Sequence, residues 1–232
     1  MWPGIVPSRA PDSIPPMRDR LVLFAKVPEL GRAKTRLARD VGESAARDLA
    51  EAFVLDTLAT AARVDGVQIA VAYSPTSGRD WFQERAPGAL LVPQPETDFG
   101  SRMCRAMDAM FEDGAKRCVM IGMDTPQLEP ARIESAFEAL KESDVCLGPS
   151  EDGGYYLIGL RAPAPQLFEG VAWSTASVLT ETHARAAESG LSVHALDMEF
   201  DIDEVADLER LAGVLAARPS VGASTRGVLQ RL

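Results

Sequence analysis

Short apolar runs alternate along the chain with longer segments in which apolar residues recur at helical spacing. Runs of this length are typical of strands that are buried on both faces of a parallel sheet. They predict strands at residues 21–25, 67–73, 90–92, 119–123, 145–148, 153–160 and 191–196. The periodic segments predict helices at residues 43–63, 80–85, 98–112, 130–142, 175–189 and 204–217. Strands that alternate with helices indicate a doubly wound α/β sheet.

The boundaries of the domain follow from where this pattern stops. Residues 1–18 carry five prolines among small and polar residues, which predicts a flexible tail. Residues 218–232 have no apolar periodicity and are predicted to form a second flexible tail. Residues 19–217 contain no repeat and no linker, so we expect one domain there. The run at 153–160 follows the preceding strand so closely that it should pair antiparallel or lie at an angle.

The composition narrows the class of protein. A hydrophobic fraction of 46% is enough for an ordinary globular core. The net charge of −10 argues against binding to nucleic acids or anionic membranes, although a local basic loop could still hold a small phosphorylated substrate. The three cysteines form no CxxC pair, so neither a zinc site nor a disulfide framework is predicted. No apolar run reaches the roughly 18 residues that span a bilayer, and no signal peptide is evident, so the chain is predicted to be cytoplasmic.

The strand at residues 119–123 ends on a candidate ligand. Asp124 follows it, and Pro126 cannot continue a strand ladder, so Asp124 should lie at the carboxyl end of a central strand. Ligands bind at this edge in open α/β sheets, and a carboxylate there is a candidate ligand for Mg²⁺. The alternative is that Asp124 only caps a turn or the helix that begins near Pro130.

The loop after the first strand concentrates positive charge, with four cations in eleven residues: Lys26, Arg32, Lys34 and Arg36. The loop leads into a helix, where free backbone N–H groups favour anions. It is neither a Walker P-loop nor a GxGxxG dinucleotide motif. We interpret it as a phosphate-binding loop, and the alternative is a solvated basic loop.

Two later segments combine acids with turn or capping signals. The segment 151–154, Glu-Asp-Gly-Gly, suits a place where backbone approaches a ligand, but Asp-Gly is also a strong hairpin signal. Asp201 and Asp203 alternate, so in an extended segment they share a face and could supply a second metal carboxylate. Asp203 could also cap the last helix. Elsewhere, Asp98 is expected to cap the helix at 98–112, and Trp173 is either a core residue or a stacking wall.

Together these segments resemble the nucleotide-diphospho-sugar transferase superfamily, which has the GT-A fold. More closely, they are similar to a family of small bacterial glycosyltransferases linked to arsenosugar biosynthesis. The matching segments are Phe24-Ala25-Lys26-x-Pro28-x-x-Gly31-x-x-Lys34-Thr35-Arg36-Leu37, Asp98-Phe99-Gly100-x-Arg102-Met103, Ile121-Gly122-x-Asp124-x-Pro126, residues 151–160, Trp173-Ser174-Thr175 and Asp201-Ile202-Asp203. The first is also similar to the loop of 2-phospholactate guanylyltransferases, and the last to a motif of sugar-activating cytidylyltransferases. One departure is Glu204-Val205, where such motifs more often have Thr-Pro.

The resemblance implies a mixed, mostly parallel sheet of about seven strands with helices on both faces. It implies that Asp124 and Asp203 hold Mg²⁺ or Mn²⁺, with Asp201 as the alternative to Asp203. It also implies catalytic roles for Asp124, Asp152 and Lys34. The residues expected to contact the nucleotide are Lys26, Gly31, Lys34, Arg36, Asp98, Gly100, Arg102, Gly153, Gly154, Tyr155, Trp173 and Ser174.

The sequence therefore predicts a metal-dependent transferase that uses a nucleotide or nucleotide-sugar donor and a small-molecule acceptor. Glycosyl transfer is placed slightly ahead, because the most similar family carries that name. The alternative is transfer of a nucleotidyl group from an NTP to a phosphorylated acceptor with release of pyrophosphate. The basic loop favours this alternative, since a triphosphate has more charge to neutralise. A third alternative is an inactive nucleotide-binding module, against which the joint presence of the acids and the basic loop argues.

Overall fold

The computed structural model describes residues 18–232. The predicted tail at 1–18 therefore lies outside the described residues, except for Arg18, which begins the first strand. The seven strands are β1 (Arg18–Lys26), β2 (Val67–Ser74), β3 (Leu90–Pro93), β4 (Ala115–Ile121), β5 (Val145–Pro149), β6 (Tyr155–Leu160) and β7 (Val193–Ala195). They form one sheet in the order β3-β2-β1-β4-β6-β5-β7.

The strand directions confirm a mixed, mostly parallel sheet. β6 pairs antiparallel with both β4 and β5, and the remaining neighbours pair parallel. The carboxyl ends of β1, β2, β4 and β5 therefore meet at one edge of the sheet. β6 begins at that same edge, so the short turn from β5 also lies there.

The helices are α1 (Ala38–Val41), α2 (Glu43–Ala61), α3 (Arg79–Arg85), α4 (Phe99–Glu112), α5 (Pro130–Ala139), α6 (Val178–Glu188), α7 (Val205–Ala217) and α8 (Ala223–Leu229). Buried residues of α2, α3 and α5 pack on one face of the sheet, and those of α4 and α6 pack on the other. This layering confirms the predicted α/β fold with helices on both faces. Among the described residues, no helix has both the length and the apolar composition that crossing a bilayer requires.

Helix ends follow local hydrogen bonding. Asp98 caps α4 as predicted, accepting a hydrogen bond of 3.0 Å from the Ser101 N–H. The helix expected from residue 175 instead begins at Val178, and neither Ser174 nor Thr175 caps it. Thr175 stays in a turn, where its hydroxyl donates to the Ala172 carbonyl at 2.6 Å.

Residues 218–232 differ from the predicted flexible tail because they contain α8. Val221, Thr225 and Val228 are buried, with the two valines in a cluster that α2 and α7 share. The carboxylate of Asp56 accepts hydrogen bonds from the N–H groups of Ser224 and Thr225, both at 2.8 Å, and from the Thr225 hydroxyl at 2.6 Å. A seven-residue helix is too short to leave a periodic signal in the sequence, which explains why it was not predicted.

Asp56→Ala should destabilise the protein by about 2–4 kcal/mol, because it leaves three donors near α8 without their charged acceptor. Chemical denaturation should report this loss, and hydrogen exchange should rise first in α8. Asp65→Ala is the matched control, since Asp65 is exposed and should change stability by less than about 0.5 kcal/mol. Equal stability of the two variants would show that Asp56 does not hold α8.

Candidate functional site

A cleft of about 390 Å³ opens at the carboxyl edge of the sheet. Its walls are the loop after β1, the end of β2, the loop after β4 and the segment before α7. Six of the charged residues that the sequence selected line it: Lys26, Arg32, Lys34, Arg36, Asp124 and Asp203. The cleft therefore joins the basic loop to two of the three candidate metal acids.

Lys34 lies between the two acids. Its Nζ is 2.6 Å from Asp124 Oδ1 and 3.0 Å from Asp203 Oδ1, and it donates to the Ile202 carbonyl at 2.6 Å. These three acceptors match the three hydrogens of an ammonium group. The Lys34 side chain is only 8% exposed, whereas the carboxylates of Asp124 and Asp203 are 45% and 44% exposed.

The charge of this group follows from two opposing effects. Burial acts to lower the pKa of Lys34, but the attraction and hydrogen bonds of Asp124 and Asp203 outweigh it, so the pKa is raised above its ordinary value. Lys34 is therefore a buried ammonium ion at neutral pH. One positive charge balances only part of the charge on the two carboxylates.

The backbone around this triad is held by contacts between distant loops. The Ile202 N–H donates to the Asp124 carbonyl at 3.0 Å, which joins the loop after β4 to the segment before α7. Glu204, and not Asp203, caps α7 in a capping box with Asp207. The alternative in which Asp203 caps this helix is therefore wrong, and its carboxylate faces Lys34 instead. Lys34 itself has φ 43°, in the left-handed region that non-glycine residues seldom adopt.

The other cations of the loop differ in how far they are engaged. Arg32 is paired with Glu29 at 3.1 Å. Arg36 is 66% exposed, and its contact with Asp203 Oδ2 is long, at 3.5 Å. Lys26 forms no ion pair within residues 18–232. Arg32 is 80% exposed and also lines the cleft, so Lys26, Arg32 and Arg36 are all accessible to an anionic ligand. The helix after the loop, α1, has only four residues, so we assign no dipole effect to its N-terminus.

Asp201, the third candidate metal acid, is engaged on both oxygens. Its Oδ1 accepts from the Thr125 hydroxyl at 3.0 Å, and its Oδ2 accepts from the Ser150 hydroxyl at 2.7 Å. Burial raises the pKa of Asp201 to about 6, against the effect of these hydrogen bonds. Asp201 therefore links the loops after β4 and β5. The sequence reasoning missed Thr125 and Ser150, although each adjoins an acidic residue that it had selected.

Residues 150–154 form a hairpin turn, the alternative that the sequence left open. The Ser150 N–H donates to the Gly154 carbonyl at 3.0 Å, and the exposed Asp152 accepts from the Gly154 N–H at 2.9 Å. Gly153 has φ 87°, and a Cβ there would clash with the Ala176 carbonyl. Backbone packing thus accounts for Gly153. None of Asp152, Gly153 and Gly154 lines the cleft.

Trp173 belongs to a packed aromatic group outside the cleft walls. Its ring centroid lies 5.3 Å from that of Phe99 and 6.4 Å from that of Tyr155. A Cβ on Gly100 would collide with the indole nitrogen of Trp173, so this glycine allows the close packing. Ser174 is exposed and adopts φ 64° beside this group.

Arg102 and Gln94 connect α4 to the central strands. Arg102 Nη1 donates to Gln94 Oε1 at 3.1 Å. The buried amide of Gln94 donates to the carbonyls of Ala25 at 3.1 Å and Ala72 at 2.7 Å. Gln94 was not selected from the sequence. Its position just after β3 is a signal that could have identified it, because three strand ends converge there.

The cleft also has walls that the sequence did not predict. Glu29, Ser74, Pro75 and Met123 line it, and Gly31 does not. Ser74 and Pro75 follow the strand that pairs with β1, so the sheet order identifies them where the sequence alone does not. Within residues 18–232, no three or more His, Cys, Asp or Glu side chains form a group that could hold a metal.

Comparison with known proteins places the chain in a family. A family profile described as "Uncharacterized protein conserved in bacteria (DUF2064)" matches residues 57–175, just over half of the 232 residues. A phosphoenolpyruvate guanylyltransferase from Conexibacter woesei is 29% identical over 206 residues, covering 86% of this chain and 91% of the relative. One of the same name from Sphaerobacter thermophilus is 32% identical over 212 residues, covering 88% and 96%.

Solved structures agree with the sequence relatives. A protein from Desulfovibrio desulfuricans G20, provisionally assigned as a nucleotide-diphospho-sugar transferase, is 34% identical with a TM-score of 0.80, covering 84% of this chain and 86% of that chain. More distant structures share the fold alone, among them a manganese complex from Mycobacterium tuberculosis H37Rv at 17% identity. The chain therefore belongs to the DUF2064 family and is a transferase with the nucleotide-diphospho-sugar transferase fold.

Proposed function

We propose that the chain is a metal-dependent nucleotidyltransferase that joins an NTP to a phosphorylated small acceptor and releases pyrophosphate. The proposal rests on the arrangement of carboxylates and cations in the cleft. Two carboxylates converge on one cation position, and three accessible cations, Lys26, Arg32 and Arg36, lie beside it. This combination suits a ligand with several negative charges and a bound divalent ion.

Asp124 and Asp203 fit a divalent metal. Both carboxylates are half exposed and lie within 3.0 Å of the same ammonium nitrogen, so this position already attracts a cation. Mg²⁺ usually takes one or two protein carboxylates and completes its shell with water and phosphate oxygens. Mg²⁺ or Mn²⁺ held there would neutralise charge on the donor phosphates and on the leaving pyrophosphate. Asp201 suits this role less, since both of its oxygens accept hydrogen bonds.

The relatives indicate which substrates to test first. The two sequence relatives are named phosphoenolpyruvate guanylyltransferases, so GTP is the donor and phosphoenolpyruvate the acceptor of first choice. A phosphorylated acceptor also suits the chemistry of the cleft. The second pKa of a phosphate monoester is about 6, so at pH 7 the attacking oxygen is already largely deprotonated and needs no general base.

The bond changes follow from that choice. An oxygen of the acceptor phosphate attacks the α-phosphorus of the NTP, and a new P–O bond forms. The bond between the α-phosphorus and its bridging oxygen to the β-phosphate breaks, and the electron pair leaves with pyrophosphate. Lys26 and Arg36 reduce the repulsion between the two phosphate groups. In this reaction Asp152 has no proton to remove. We therefore assign Asp152 no step, although a catalytic role was expected for it.

Glycosyl transfer, which the sequence analysis placed slightly ahead, becomes the second candidate. The D. desulfuricans protein at 34% identity favours it by its assigned class. The named sequence relatives and the number of cations in the cleft favour nucleotidyl transfer. We therefore place nucleotidyl transfer ahead of glycosyl transfer, the reverse of the order expected from the sequence.

A donor screen tests this order. With Mg²⁺, GTP and phosphoenolpyruvate, the protein should release pyrophosphate at a rate that depends on the acceptor. Other NTPs, other phosphorylated acids and a panel of nucleotide-sugars complete the screen. Release of a nucleoside diphosphate from a nucleotide-sugar, without pyrophosphate from any NTP, would contradict nucleotidyl transfer.

Asp124→Asn and Asp203→Asn should each lower kcat/KM by about 10²–10³-fold, because each removes a charged oxygen ligand from the metal position. Each variant should stay folded with a lowered melting temperature, because Lys34 keeps the other carboxylate and the Ile202 carbonyl as acceptors. Steady-state kinetics at saturating Mg²⁺ measure the effect, with Asp65→Asn as the control. A variant that keeps the wild-type rate would remove that residue from the metal site.

Lys26→Ala and Arg36→Ala should each raise the donor KM roughly tenfold to hundredfold, the equivalent of one lost charge-assisted hydrogen bond. Added salt should reduce the difference from wild type, because both side chains are exposed. Arg39→Ala is the matched control, since Arg39 is exposed and does not line the cleft. If Arg39→Ala weakens donor binding as much, the effect is one of overall charge and not of the cleft.

A further inference from the structure

We infer that Lys34 and the divalent metal compete for the same two carboxylates, so that metal binding requires the ammonium to leave Asp124 and Asp203. This inference rests on the proposed function and concerns the same site. In it, Lys34 acts as an internal cation that holds the two acids together until metal and donor arrive.

The contacts of Lys34 place the ammonium where a bridging cation would lie. Nζ contacts the Oδ1 atom of each acid, at 2.6 Å for Asp124 and 3.0 Å for Asp203. Metal–oxygen distances for Mg²⁺ are about 2.0–2.1 Å, so an ion shared by these two oxygens would need the space that Nζ fills. Lys34 and the metal therefore cannot both use this position.

The balance of charge at the two carboxylates also indicates that Lys34 and the metal exclude each other. Two carboxylates carry two negative charges, which a divalent ion neutralises on its own. Arg36 already contributes a positive charge 3.5 Å from Asp203 Oδ2. An ammonium that stayed in place would then lie beside a divalent cation with no carboxylate charge left to balance it, and like charges at this distance repel strongly in a partly buried site.

The released ammonium needs another acceptor. Lys34 is 8% exposed, so water cannot fully solvate its charge without movement of the side chain. Lys34 also lines the cleft, beside Lys26 and Arg36. The phosphate oxygens of a triphosphate donor in that cleft can accept its hydrogens. The donor phosphates can thus replace the two carboxylates as acceptors for the Lys34 ammonium.

Positive coupling between metal and triphosphate follows from this exchange. Free metal must displace Lys34 with no compensation, so its affinity is low. Metal binding together with a triphosphate is stronger, because the triphosphate receives the ammonium. By linkage, metal strengthens triphosphate binding by the same factor.

Titration of Mn²⁺, followed by electron paramagnetic resonance of the free ion, tests the competition. Lys34→Met should bind Mn²⁺ at least tenfold more tightly than wild type in the absence of nucleotide. In wild type, GTP with a methylene group in place of the α,β-bridging oxygen should tighten Mn²⁺ binding more than it does in Lys34→Met. Lys116→Met removes the same charge from an exposed lysine outside the cleft, and it should leave the Mn²⁺ affinity of the free protein unchanged.

A second measurement uses the wild-type chain and so does not depend on the folding of a variant. Acetylation by a lysine reagent, followed by mass spectrometry, should be slow at Lys34 and several-fold faster once Mn²⁺ is added. Acetylation of Lys116 supplies the internal reference rate. An unchanged Lys34 rate with Mn²⁺ bound would overturn the inference.

The outcomes separate this inference from the proposed function. If Asp124→Asn loses Mn²⁺ binding while folded Lys34→Met binds Mn²⁺ no more tightly than wild type, the metal site stands and the competition is wrong. If neither wild type with the GTP analogue nor Lys34→Met binds Mn²⁺, the metal site itself fails, and the proposed function fails with it.

Discussion

The ion pair of Lys34 with Asp124 and Asp203 is the interaction on which the carboxyl edge of the sheet depends. It joins the loop after β1, the loop after β4 and the segment before α7, which are far apart in the chain. Without a cation between them, two carboxylates in one cleft would repel each other. The fold therefore places the ammonium of Lys34 between the carboxylates of Asp124 and Asp203, where it reduces their repulsion.

The sheet order makes this meeting necessary. β1 and β4 are central, adjacent and parallel, so the loops that follow them open at the same edge. The one antiparallel strand, β6, returns the chain to that edge through the turn at 150–154. Ser150, at the start of that turn, then reaches Asp201 and steadies the segment that carries Asp203. An acidic chain thus gathers four cations, Lys26, Arg32, Lys34 and Arg36, in the cleft that holds Asp124 and Asp203.

The sequence predicted what depends on local pattern. The strands and the position of Asp124 after a central strand follow from short apolar runs and their punctuation, whereas the mixed sheet was implied by the family resemblance. Contacts between residues that are far apart in the chain leave no such signal. Nothing near Lys34 indicates that its ammonium contacts Asp203, 169 residues away, and the hydroxyl contacts of Asp201 are equally non-local. Gly153 was interpreted as a ligand-approach signal, and Gly100 was assigned to the nucleotide site by the resemblance. The packing of Trp173 against Gly100 and of the Ala176 carbonyl against Gly153 explains why both are glycines.

We infer that Asp124 and Asp203 form one cation position, which Lys34 fills before metal and donor bind. Anomalous diffraction at the manganese edge, from crystals grown with Mn²⁺ and a non-hydrolysable GTP analogue, tests it directly. We expect one manganese peak between these two carboxylates, with Lys34 Nζ moved away from both and toward a donor phosphate. A manganese peak elsewhere, or a metal between them with Lys34 still bound to both acids, would contradict it.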